Sequence, residues 1–355
     1  MIQVLQPAYT ESDIAAVSEA MRSCWWGLGP RCVELEKQLT ERSGYKYAVT
    51  VNSATSALHL ALLANNVGPG DEVIVPALTF ISTALAVTYT GATPVFADID
   101  PTTLTLDWRD VRSKITWRTK AVIPVDYAGQ PAWPSALPAN ITIVEDAAHN
   151  VLGSHYGDAV CYSFHPVKQL ATADGGAILT NNAQQAARLQ ALRWCGIDRS
   201  TWQRSGKRYS WDYDIAEVGY KYQFNDIQAA LALSQLTRWD EIVARRRAMV
   251  DYYFKELRGI DGLELPADSA GHTWHLFVVR VASEKRDDLL DYLAAKGIGA
   301  GVHYKPLTHY KPYLQETPPL TEKVWRRLVT LPLHLNLSVE DQAQVCTAIK
   351  EYLAK

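Results

Sequence analysis

The chain contains no apolar run of the roughly twenty residues that a membrane-spanning helix needs. It also has no CxxC pair, no block of like charge, and no strand followed by GxGxxG. Each absence removes a class of protein. With 35 Lys and Arg against 38 Asp and Glu, and a net charge of −3, there is no basic footprint for nucleic acid. The five cysteines (Cys24, Cys32, Cys161, Cys195, Cys346) are odd in number and scattered, so neither a disulfide framework nor a zinc site is expected, and no metal centre is assigned. A nicotinamide-binding Rossmann enzyme is disfavoured because Gly68-Pro69-Gly70 precedes a strand instead of following one. The opening residues, MIQVLQPAYTESD, lack a basic stretch followed by an apolar one, so no signal peptide and a cytoplasmic location are expected. Repeats, low-complexity tracts and heptads are also missing.

What the chain does have is aromatic residues and short β-branched runs. Eleven tryptophans and eighteen tyrosines fit core and subunit-interface positions, since these side chains bury large areas. Strands are predicted at Tyr47–Val51, Glu72–Val75, Pro94–Ala97, Ala121–Val125, Ile141–Val144, Val160–Phe164 and Ala177–Leu179. Several are continuous apolar runs without alternation, the pattern of strands covered on both faces in a mostly parallel sheet. A helix over Ala54–Asn65 is apolar nearly all round. Later come helices over Asn225–Trp239, with Asn225 and Gln228 as its cap, and over Glu241–Leu257, with Val243, Val250 and Leu257 on one stripe. Beyond the loop-like stretch 259–271, a strand over His275–Val281, a helix over Asp287–Lys296 and a short strand over Gly301–Tyr304 are expected. The last helix starts near Ser338. The fold class is therefore α/β, divided into a large domain over residues 1–244 and a smaller α+β domain over 245–355.

Three local patterns could carry chemistry. Asn52-Ser53-Ala54-Thr55-Ser56 lies between a strand and a helix, where unpaired N–H groups and the helix dipole favour an anion; plain N-capping is the competing reading. Val144-Glu145-Asp146-Ala147-Ala148-His149 puts acids at the C-terminal end of a buried strand, which in open α/β sheets faces the ligand crevice. A carboxylate there can hold a ring nitrogen protonated, or simply cap a helix. Tyr162-Ser163-Phe164-His165-Pro166-Val167-Lys168 ends a buried strand in a lysine, followed by Asp174-Gly175-Gly176. Burial lowers a lysine pKa and makes the amine nucleophilic near neutrality, although most lysines are simply solvated. A polar loop, residues 198–213, offers Arg199, Arg204, Lys207 and Arg208 for a diphosphate or for solvent.

In this order, the three patterns resemble the DegT/DnrJ/EryC1/StrS sugar aminotransferases, from Trp26-Gly27-Leu28-Gly29-Pro30 to the end. Landmarks are NSATSALHLAL, GPGDEVIVPALTF, GATPVFADID, VEDAAH, YSFHPVK, DGGAILT, GYKYQFNDIQAALALSQL and GVHYKPL. The resemblance implies a fold-type I transferase dependent on pyridoxal 5′-phosphate, with a mostly parallel seven-stranded sheet, helices on both faces and a small C-terminal domain. It implies that Lys168 binds the cofactor covalently and is the catalytic residue. Asp146 would meet the ring nitrogen, His149 the 3-hydroxyl side and Phe80 the ring face. Ala54, Thr55 and Ser163 would meet the phosphate. Lys221 would reach the phosphate of a second subunit, which makes a homodimer with shared sites the expected assembly. His303 and Tyr304 match a segment near the substrate. The implied substrates are a nucleotide-linked keto sugar and an amino acid donor, glutamate in the family.

The sequence departs from the common pattern in three places. Lys221-Tyr222-Gln223 stands where many relatives have Asn-Tyr-Arg, Cys195 stands where His is frequent, and the stretch 153–161 is short. A sugar dehydratase of the same fold would carry His in place of Lys168. A regulatory member without activity is the other alternative, and no DNA-binding appendage is visible for it.

Overall fold

In the computed structural model, residues 1–197, 202 and 211–355 are described. The N-terminal half runs α1 (Glu11–Arg22), α2 (Pro30–Ser43), β1 (Tyr47–Val51), α3 (Ala54–Ala64), β2 (Glu72–Pro76), α4 (Ser82–Tyr89), β3 (Thr93–Ala97), α5 (Trp108–Lys114), β4 (Thr119–Val122), β5 (Thr142–Asp146), β6 (Ala159–Ser163), β7 (Gly176–Thr180) and α6 (Ala183–Leu192). There follow α7 (Asp226–Leu236), α8 (Trp239–Leu257), β8 (Phe277–Arg280), α9 (Arg286–Ala295), α10 (Pro319–Trp325), β9 (Leu328–Leu331) and α11 (Val339–Leu353). Among the described residues no helix is long and apolar enough to cross a membrane.

Seven strands form one sheet in the order β1-β7-β6-β5-β4-β2-β3, and only β7 runs against the others. The apolar runs are explained by what covers them. On β6, Ala159 and Cys161 join the core under α3, while Val160 and Tyr162 join the core under α2 and α7. On β7, Ile178 faces the first layer and Ala177 and Leu179 the second. Both faces are therefore dry, and alternation has no reason to appear. Helix α3 is buried from Ser56 to Leu62, which accounts for its apolar character all round.

A second core gathers β8, β9, α9, α11 and the C-terminal half of α8. The first residues of the chain run along it: Ile2 bridges Ile298, and the Leu333 amide donates to the Val4 carbonyl at 3.0 Å. Helix α8 serves both cores, through Ile242 in one and Met249 to Leu257 in the other. At the changeover Arg246 is buried and donates to the carbonyls of Trp274 and His275 at 3.0 and 2.8 Å.

Two sequence expectations fail here. Val243 is not on the buried stripe: it is 47% exposed, and Ile242, Arg246, Val250, Tyr253 and Leu257 face inward instead. Gly301–Tyr304 is not a strand; its one pairing is an isolated bridge from Gly301 to Thr330. Elsewhere the caps agree with the sequence. Asn225 accepts from the Gln228 amide at 3.0 Å, and Ser338 and Asp341 form a reciprocal box at the start of α11.

Candidate active site

A cavity of about 320 Å³ opens at the C-terminal ends of the parallel strands, where an open α/β sheet places its ligands. It is lined by Ala54, Thr55, Phe80, Asp146, His149, Ser163, Lys168, His303 and Tyr304. Of the residues assigned to the cofactor or to the substrate segment, all but Lys221 are thus brought to one place. The Lys221 ammonium instead lies 3.5 Å above the Trp194 ring of its own chain. Arg199, Arg204, Lys207 and Arg208 lie outside the described residues.

One end of the cavity is a helix start, a place that favours an anion. Strand β1 ends at Val51, and Ser53 caps α3 by accepting from the Ser56 amide at 3.1 Å. The amides of Ala54 and Thr55, first in the helix, have no intrahelical partner and sit at its positive end. Strand β7 passes close beneath them, which requires glycine. A Cβ on Gly176 would stand 2.9 Å from the Ala54 nitrogen and 2.5 Å from the Tyr162 carbonyl oxygen.

The other end is acidic. Asp146, the last residue of β5, is buried; its Oδ2 accepts from the Thr83 hydroxyl at 2.8 Å and its Oδ1 from the Ala148 amide at 3.2 Å. Burial raises its pKa, and the Thr83 bond, the Ala148 bond and the Lys168 charge oppose that rise. Lys168 follows β6, in a turn closed by its amide donating to the His165 carbonyl at 2.8 Å. Burial pulls its ammonium down to about 8, against the attraction of Asp146. Acid and amine therefore act on each other across the cavity.

The walls fix the remaining chemistry. His149 Nδ1 accepts from the Ala128 amide at 3.2 Å, so its hydrogen is on Nε2, 3.2 Å from the Tyr304 hydroxyl. Burial, with Lys168 and His303 nearby, holds His149 well below the usual imidazole range and keeps it neutral. The ring packs against His275 with centroids 4.4 Å apart. Phe80 is 55% exposed and lines the cavity, its centroid 5.9 Å from that of Tyr304. His303 Nδ1 shares a hydrogen with Thr330 Oγ1 at 2.8 Å.

Sequence reasoning missed Thr79, Ser82, Thr83, His165 and His275. Thr79 lies within the quoted segment GPGDEVIVPALTF and Ser82 and Thr83 just beyond it, where nothing in residue type separates them from ordinary hydroxyls near a helix start. Outside the cavity, Asp126, Glu145 and His155 come close enough to hold an ion, the one such group among the described residues. Their atoms are already engaged: Glu145 accepts from the Tyr156 and Gly157 amides, Asp126 from Asn150 and Ala132, and His155 lies between Glu145 and Tyr162.

A sequence description of the DegT/DnrJ/EryC1/StrS aminotransferase family matches residues 7–350, nearly the whole chain. The chain belongs to that family. It is accordingly an enzyme of the aminotransferase class. Its structure is similar to that of Spr1654 from Streptococcus pneumoniae, assigned as a sugar aminotransferase, in its PMP-form. The two are 32% identical, with a TM-score of 0.92 over 100% of this chain and 99% of that one. It is also similar to S. venezuelae DesV in complex with a ketimine intermediate (33% identity, TM-score 0.85, 97% and 95% covered). Helicobacter pylori PseC, an aminotransferase involved in the biosynthesis of pseudoaminic acid, is 26% identical with a TM-score of 0.90 over 99% of each chain.

The residues present fit pyridoxal phosphate. The glycine-backed helix start suits the phosphate, Asp146 a ring nitrogen that carries a proton, Phe80 the ring face, and Lys168 an aldehyde.

Proposed function

We propose that this chain is a pyridoxal-phosphate-dependent sugar aminotransferase that converts a keto sugar carried on a nucleotide into the amino sugar. L-glutamate is its donor, and it works as a cytoplasmic homodimer. One observation carries the reading. A lysine amine and a buried carboxylate face each other across one cavity whose third side is a helix start built for an anion.

When bound, the cofactor supplies an electron sink for the bonds at the donor's α-carbon. The rest is done by the protein. Lys168, held near 8, keeps a substantial neutral fraction at neutral pH, and so serves as the general base that takes and returns a proton. Asp146 holds the proton on the ring nitrogen through a charge-assisted bond, roughly twice as strong as a neutral one. His149 would stand at the 3-oxygen side with its Nε2 hydrogen shared with the Tyr304 hydroxyl, and its neutrality avoids placing a second cation beside Lys168. The Ala54 and Thr55 amides, with Ser163, anchor the phosphate.

Sugar as substrate is supported by the family and by relatives such as Spr1654, assigned as a sugar aminotransferase, and PseC, involved in pseudoaminic acid biosynthesis. The dimer, and with it the role of Lys221 on a partner's phosphate, is supported by the family pattern and by the exposure of Lys221, whose ammonium must leave the Trp194 ring of its own chain to reach a partner. A panel of nucleotide-linked keto sugars with L-glutamate, read by mass spectrometry, tests the proposal. One member should gain an amine while 2-oxoglutarate forms. If no member does so, and free keto acids are aminated instead, the sugar assignment fails.

A further inference from the structure

Helix α4 is short and takes no part in the sequence motifs, yet its first turn touches both ends of the cavity. Ser82 Oγ lies 2.7 Å from Thr55 Oγ1 at the anion seat. One residue later, Thr83 Oγ1 donates to Asp146 Oδ2 at 2.8 Å. Thr83 is fully buried, and Thr79 Oγ1 lies 3.0 Å from it on the preceding loop.

The hydrogens can be assigned by elimination. An ionised carboxylate only accepts, so Thr83 must donate to Asp146. Its single hydrogen is then used, and Thr79 must donate to it. This leaves a chain Thr79 to Thr83 to Asp146 with one direction. The Asp146 backbone is pinned separately, its amide to the Pro124 carbonyl and its carbonyl to the Asp126 amide. Among the described residues, Thr83 and Ala148 alone donate to the carboxylate itself.

We propose that Thr83 is a positioning residue: its hydroxyl keeps the Asp146 carboxylate ionised and aimed into the cavity, so that the acid can hold a protonated ring nitrogen. The inference rests on the proposed cofactor role of Asp146. The first turn of α4 thereby braces the anion seat and the acid at a set separation, through Ser82 on one side and Thr83 on the other. The other titratable groups that bear on Asp146 are Lys168, Glu145, Cys161 and Tyr304. Lys168 is the only cation among them, and against the burial that raises the pKa of the acid the bonds from Thr83 and Ala148 count for more than its charge.

The test is binding of pyridoxamine 5′-phosphate to cofactor-free full-length protein as a function of pH. This ligand has no aldehyde, so its affinity reports ring and phosphate contacts without a bond to Lys168. Thr83→Val keeps the shape and removes the donor. It should move the acid limb of the affinity profile up by about one pH unit, which is about a tenfold loss of affinity at any pH on that limb. Thr83→Ser keeps a donor and should restore both. Thr83→Ala serves in place of the valine variant should that one fail to fold.

Wild-type affinity and an unmoved limb in the valine or alanine variant would overturn the proposal. So would a serine variant as weak as valine, because packing and not the hydroxyl would then be responsible. Asp146→Asn separates this from the underlying reading. If it binds the ligand as the wild type does, the cofactor role of Asp146 fails. If it weakens binding while Thr83→Val does not, only Thr83 is wrongly assigned.

Discussion

The ionisation of Lys168 can be measured directly in the cofactor-free protein. Burial lowers its ammonium from the ordinary 10.5 to about 8, and the Asp146 carboxylate works against that fall. At about pH 7.5 a quarter of such an amine is neutral, against about a thousandth for an ordinary lysine, a gain of roughly 200-fold in nucleophile. Brief exposure to an acylating reagent between about pH 6 and about pH 11, with the Lys168 peptide quantified by mass spectrometry, gives the midpoint. A short lysine peptide added as standard should titrate at about 10.4. The midpoint matters and the absolute rate does not, because an enclosed amine reacts slowly at any pH. The histidines that face Lys168 do not confuse the result, since burial keeps His149, His275 and His303 neutral across this range. Asp146→Asn should push the midpoint lower still by removing the opposing charge. A Lys168 midpoint equal to that of the peptide, or an upward move in the Asp146 variant, would refute the reasoning.

Other perturbations probe other walls. Gly176→Ala forces a Cβ against the Ala54 amide and the Tyr162 carbonyl, so β7 must move away from the anion seat. Stability should fall by about 1–3 kcal/mol in denaturant titration, with weaker cofactor binding; unchanged binding would place the phosphate elsewhere. Lys221→Ala should speed cofactor loss from the assembled protein, followed as dialysis-resistant absorbance. Full retention would remove this residue from a partner's phosphate site.

The buried strands and the helix caps were legible because local chemistry alone decides them. Val160, Cys161 and Tyr162 are apolar in a row because both faces of β6 are covered, and Ser53 and Ser338 cap their helices as their types suggest. Val243 was misplaced because α8 passes from one core to the other, and a stripe drawn along a whole helix assumes one partner. Gly301–Tyr304 read as a strand from its residue types, but its neighbours supply a single bridge. Thr83 was invisible for another reason. A buried threonine becomes meaningful only when a carboxylate more than sixty residues away in the chain is found against it, which sequence spacing does not reveal.

The central claim is a covalent one and can be read on a single peptide. The protein should be loaded with pyridoxal 5′-phosphate, reduced with borohydride, digested and mapped by mass spectrometry. The phosphopyridoxyl group should be found on Lys168. Its appearance on a different lysine, or a protein that emerges unlabelled, would contradict the account.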